Sequence, residues 1–187
     1  MKLYLKGHDY KYATEQMLLT LFPGERPEYP QEAPEPGENA LVLTLTRTDD
    51  WAAGRAVLTW GGKVFEQTSR APDPGESDPL ERDRVLQRVL KTAFYRAGTQ
   101  ALGREPAWGA LTGVRPVKIP TKALSQGYTV RQADGMLRDL YRVSPERRRL
   151  SLDCARATIS IRESLSPEEL SLYVGIPFCP TRCAYCS

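Results

Sequence analysis

Arg55-Ala56-Val57-Leu58-Thr59-Trp60-Gly61-Gly62-Lys63-Val64-Phe65-Glu66-Gln67-Thr68-Ser69 decides the first part of the fold. Two β-prone runs flank Gly61-Gly62, and both turn positions tolerate positive φ, so the stretch reads as a hairpin. Upstream, Ala40 to Thr46 places Leu41, Leu43 and Leu45 on one face of a further strand, which Asp49-Asp50 ends. Lys2 to Lys6 alternates as a short strand. Tyr10 to Phe22 then carries a helical apolar pattern (Tyr10, Ala13, Met17, Leu18, Leu21) stopped by Pro23-Gly24. The expectation is a small antiparallel sheet with helices packed on it, an α+β arrangement over residues 1–105.

Helix signals continue downstream. Asp78-Pro79-Leu80-Glu81 offers a cap, a first-turn proline and an acid at the positive end of the dipole. The stripe Val85, Leu86, Val89, Leu90, Ala93, Phe94 follows. Thr129 and Gln132 form a capping box ahead of Val130, Ala133, Leu137 and Leu140, and Ser144-Pro145 opens another helix towards Ile161. Residues 106–165 are therefore expected to be a helical linker region. Leu172-Tyr173-Val174-Gly175-Ile176 reads as a buried strand stopped by Pro177, within a last segment of residues 166–187.

The bulk numbers exclude little. A chain of 187 residues with 41% hydrophobic and 26% charged residues can bury a core, and a net charge of +3 does not by itself call for nucleic acid or membrane. The opening has no apolar signal segment and no run reaches the ~18 apolar residues of a membrane span, so the expected location is cytoplasmic.

The chemistry lies in Cys179-Pro180-Thr181-Arg182-Cys183-Ala184-Tyr185-Cys186, a C-x3-C-x2-C loop directly after the last apolar run. Structural zinc usually takes four protein ligands, commonly as two C-x2-C pairs. Three thiolates in one loop instead serve three corners of a four-iron cluster and leave the fourth iron open to another molecule. A zinc site or free thiols are the alternatives, and His8 is the only histidine available as a fourth ligand. Cys154 stands apart and reads as a buried small hydrophobe.

The run Leu172 to Ser187, with Ile176-Pro177-Phe178 before the first cysteine of the loop, resembles the radical S-adenosylmethionine (SAM) superfamily, in particular its oxygen-independent coproporphyrinogen III oxidase group. Leu111-Thr112-Gly113-Val114-Arg115-Pro116-Val117-Lys118 and the α+β leader resemble that group's coproporphyrinogen dehydrogenase HemZ-type branch. The resemblance implies a [4Fe–4S] cluster on Cys179, Cys183 and Cys186, with SAM chelating the open iron. Tyr173 would lie against the SAM sulfonium and Tyr185 near its adenine. It further implies a radical SAM oxidoreductase that decarboxylates coproporphyrinogen III to protoporphyrinogen IX in porphyrin synthesis, drawing on an external electron donor.

On this resemblance, Leu172 to Ile176 would be the first strand of a partial (β/α) barrel, whose further strands are not in the sequence. The chain is accordingly expected to be the N-terminal portion of a longer enzyme, a truncated barrel that is inactive alone. Gly175 stands where the oxidases proper often carry histidine, which leaves room for a radical SAM methyltransferase or haem-handling homologue. A reading from another class takes Val117–Ser125 and Thr129–Tyr141 as a helix-turn-helix with Arg131, Arg138 and Arg142 facing nucleic acid. Two packed helices with solvated arginines account for the same pattern. Arg115 and Lys118 would suit the carboxylates of a tetrapyrrole, or would simply belong to a connecting loop.

Overall fold

The computed structural model describes residues 1–112, 115–166, 168–170, 172–176, 178 and 179. Along the chain run β1 (Lys2–Lys6), α1 (Lys11–Leu21), β2 (Ala40–Arg47), β3 (Trp51–Trp60), β4 (Lys63–Pro72), α2 (Pro79–Leu102), α3 (Lys118–Ser125), α4 (Val130–Asp139) and α5 (Pro145–Ser164). The α+β class stands. The four strands lie in the order β1-β2-β3-β4.

The Gly61-Gly62 hairpin forms as read, with both glycines at positive φ and Trp60 opposite Lys63. The sheet, however, is mixed rather than antiparallel throughout, because β1 pairs with β2 in parallel, Leu3 opposite Leu41. The intervening helix α1 supplies the crossover that a parallel pair requires. Leu3, Leu41, Leu43 and Leu58 point to one face and are almost wholly buried there with Met17, Leu18 and Leu21 of α1 and Val89, Leu90 and Phe94 of α2. On the other face, Arg55 of β3 and Glu66 of β4 make an exposed ion pair at 2.7 Å.

Gly54 sets how closely α2 approaches. A Cβ there would stand 2.7 Å from the Val89 carbonyl oxygen, so the helix backbone rests directly on β3.

The helix caps follow the sequence. Asp78 accepts a hydrogen bond from the Glu81 N–H at 3.0 Å, and Thr129 and Gln132 form the reciprocal capping box. Ser144 accepts from the Arg147 N–H. Helices α3, α4 and α5 pack on one another around Ala123, Ala133 and Leu152. This group is tied to the rest by two backbone hydrogen bonds, from the Ala110 N–H to the Tyr141 carbonyl (2.7 Å) and from the Ser144 N–H to the Ala107 carbonyl (3.0 Å). Gly109 lies between them at φ +59°.

Two expectations fail. Leu172 to Ile176 is neither paired nor buried, and Leu172 and Tyr173 are 90% and 91% exposed. An apolar run becomes a strand only when a neighbour satisfies its backbone, and no described residue does so. Cys154 lies on the outer side of α5 and is exposed rather than buried. No helix among the described residues is long and apolar enough to cross a membrane.

Candidate functional site

Helix α5 delivers the chain to the cysteine loop. After Ser164 the backbone turns extended at Leu165. Ser166 and Glu169 then close a short turn: the Ser166 N–H donates to Glu169 Oε2 at 2.6 Å, and the Glu169 N–H returns to the Ser166 carbonyl at 3.1 Å. Beyond it, Leu170, Leu172, Tyr173, Val174, Ile176 and Phe178 all present most of their surface to solvent. Covering a large apolar side chain is worth roughly 1.5–3 kcal/mol. The arm thus carries a strong drive towards burial that no described residue meets.

Cys179 ends the described part of this arm with an exposed, unpaired thiol. Cys183, Cys186 and Tyr185 lie outside the described residues. Of the two aromatic positions, Tyr173 is therefore the one whose surroundings are seen: its ring lies beside Gly175, where a Cβ would stand 3.2 Å from Cε1. Among the described residues no three histidine, cysteine or acidic side chains converge on a point that would hold a metal ion. An accessible sulfur, unpaired among the described residues, suits an iron–sulfur donor set, because such clusters are held by thiolates. The chemistry of the described donor is compatible with such a group.

A second feature was not legible as a site. Arg84, Arg88 and Lys91 recur at i, i+4 and i+7 along α2, opposite Lys118 and Lys122 at i and i+4 on α3. Together they line a cleft of about 430 Å³, walled on its apolar side by Ile119, Met136, Leu140 and Tyr141. Lys118 and Lys122 also face a neighbouring groove of about 730 Å³ that holds Arg115 and Arg162. Lys91 is partly buried, and its Nζ donates to Thr112 Oγ1 at 3.3 Å. Burial, and next the charge of Arg88, hold the Lys91 ammonium below its ordinary pKa. The charge spacing on α2 was a usable sequence signal, overshadowed by the apolar stripe on the helix's other side.

Arg115 and Lys118 do share a surface, the 730 Å³ groove. Trp108 lies elsewhere, its ring under the Arg147 guanidinium at 5.6 Å. Gly113 lies outside the described residues. In the helix-turn-helix reading, Arg138 is engaged by Asp139 through two hydrogen bonds of 2.8 and 2.9 Å, and the contact raises its pKa. That fork leaves Arg138 poorly placed to meet a phosphate.

No protein-family model matches the chain, and no solved structure does. The chain is 29% identical over 157 residues to the oxygen-independent coproporphyrinogen-III oxidase-like protein HemZ of Bacillus subtilis (strain 168). The match covers 82% of this chain and 30% of that relative, so the chain spans less than a third of the length of the curated protein it matches. What the chain shares with that protein is a distant and partial likeness.

Proposed function

We propose that the chain is the leader and cluster-binding loop of a radical SAM oxidoreductase acting on a tetrapyrrole. Its cysteines Cys179, Cys183 and Cys186 would hold a [4Fe–4S] cluster. The observation that carries this reading is the accessible Cys179 thiol, unpaired among the described residues, at the head of a C-x3-C-x2-C loop. The likeness to an oxidase-like protein named for coproporphyrinogen III supports a porphyrin-related role.

In this role the protein's contribution is placement. The three thiolates of Cys179, Cys183 and Cys186 would hold the cluster and leave SAM a place on it. Tyr173, two residues before Gly175, and Tyr185, between the last two cysteines in sequence, would supply apolar contact for the sulfonium and adenine. When bound, the cluster would supply the electron for reductive cleavage of SAM, the chemistry from which hydrogen abstraction from the substrate starts. The exposed side chains of Leu172, Val174, Ile176 and Phe178 serve to pack the arm against neighbouring structure of the whole enzyme, which excludes water and oxygen from the site. The substrate would be coproporphyrinogen III, with its propionates converted to vinyl groups, and the electron donor an external protein or small reductant.

Anaerobic reconstitution of the 187-residue chain with iron and sulfide tests the proposal. The expected product is brown, with a reduced-state paramagnetic signal that shifts on adding SAM. The Cys179→Ala and Cys183→Ala variants should each lose the cluster or bind it at a small fraction of the wild-type level. A stoichiometric tetrahedral zinc in the purified protein, or an unchanged cluster in Cys183→Ala, would sink the reading.

A further inference from the structure

We propose that the cleft between α2 and the α3–α4 pair is a binding site for a small organic polycarboxylate with an apolar ring body. The inference goes beyond the cluster and does not need it, since none of the cleft's residues belongs to the cysteine arm.

The argument begins with unbalanced charge. Five cationic side chains line the cleft (Arg84, Arg88, Lys91, Lys118 and Lys122) against one acid, Glu81. Glu81 is already engaged by Arg84 at 3.2 Å. Among the described residues no carboxylate lies within ion-pair distance of Arg88, Lys91, Lys118 or Lys122. Elsewhere the fold does neutralise comparable cations. Arg82 meets Asp73 at 3.0 Å and Arg148 meets Asp134 at 2.8 Å, each with its guanidinium largely covered.

Lys91 is the exception, a partly buried ammonium with a hydroxyl for company and Arg88 one turn away. Withdrawing an ammonium from water costs free energy that only an opposing charge restores. An anion entering the cleft would supply that charge.

The walls specify the rest of the ligand. Ile119, Met136, Leu140 and Tyr141 face the same space as the cations, and Leu140 is a large apolar side chain left 39% exposed. A bare inorganic anion would leave this wall wet. A ring with carboxylates on its rim meets both halves, and arginine matches a carboxylate edge through two parallel hydrogen bonds. The volume of about 430 Å³ lies in the range of small-molecule sites, roughly 300–1,000 Å³. Lys118 and Lys122 also face the adjoining groove with Arg115 and Arg162, so a ligand with several carboxylates has cations on both sides of α3. A propionate-bearing tetrapyrrole is one member of this class.

Coproporphyrin III, a fluorescent tetracarboxylate, is the probe, titrated into the 187-residue chain without any cluster loaded. Saturable binding is expected, weakened about tenfold or more in the Arg88→Glu/Lys122→Glu double variant. Arg131→Glu, an exposed charge on α4 outside the cleft, should stay within about twofold of wild type. Circular dichroism confirms that each variant is folded. Equal affinity in the double variant overturns the proposal, as does displacement of the porphyrin by a short single-stranded oligonucleotide at equal or lower concentration. The Cys179→Ala variant should bind like wild type, which separates failure of this site from failure of the cluster.

Discussion

His8 makes two hydrogen bonds that together require a neutral ring. Its Nε2 donates to the Leu43 carbonyl at 3.2 Å, while Nδ1 accepts from the Tyr10 N–H at 3.2 Å. Burial pushes its pKa below the ordinary value, outweighing the upward pull of the Leu43 carbonyl and Asp9. The folded chain therefore binds this proton less readily than the unfolded chain. The stabilising contribution is fully present above about pH 6.5 and is lost as pH falls through the folded-state value. Denaturant midpoints should drop between about pH 7.5 and pH 5.5 in the wild type, with a shallower drop in His8→Gln. Parallel slopes in the two proteins would show that His8 is not a titrating contact. The sequence does not reveal these contacts, because a ring's partners across β2 are tertiary and leave no periodic trace. Cys154 misled for a related reason. Small thiols are usually buried, but this one falls on the side of α5 that no described residue covers.

At the scale of elements, the caps were readable because their chemistry closes within four residues. Asp78, Thr129 and Ser144 each accept a hydrogen bond three positions on, as their side chains dictate. Pairing direction was not readable. Whether β1 lies parallel or antiparallel to β2 depends on where α1 carries the chain, and strand composition is silent on that point. Leu172 to Ile176 has a strand's composition without a strand's partner among the described residues. Close approach is likewise invisible locally, and Gly54 tests it. Replacement by valine sets a branched side chain against the Val89 backbone, whose nearest atoms lie 2.7–2.9 Å from the Cβ position. Backbone in the middle of a helix cannot yield without lifting α2 from β3. A loss of about 2–4 kcal/mol in chemical denaturation is expected for Gly54→Val. Gly24→Ala, with nothing within 4 Å, should cost little by the same measurement. Equal losses would mean that contact with α2 is not the constraint.

Across the whole molecule, the cysteine loop was legible because three cysteines sit within eight residues, whereas the basic cleft exists only once α2 and α3 are brought together. The Ala107–Ala110 segment does this, clamped onto the turn between α4 and α5. Gly109 is its critical position: φ is +59°, and a Cβ would fall 2.1 Å from the Tyr141 carbonyl oxygen and 2.4 Å from that of Arg142. Gly127 also has positive φ, at +85°, but has open space around it. The pair separates backbone strain from collision. Gly127→Ala should cost about 1 kcal/mol, the ordinary penalty for a side chain in the left-handed region. Gly109→Ala should cost more, because it also breaks the hydrogen bonds Ala110–Tyr141 and Ser144–Ala107. Hydrogen exchange is the direct readout. In Gly109→Ala the amides of α3, α4 and α5 should exchange faster than those of β2 and β3, because the helical group is released while the sheet keeps its own core. Coproporphyrin III affinity should fall with it, since the two walls of the cleft lie on opposite sides of the clamp. Uniform exchange across both groups would show instead that the sheet and the helices unfold as one unit, with the clamp holding nothing that their packing does not already hold.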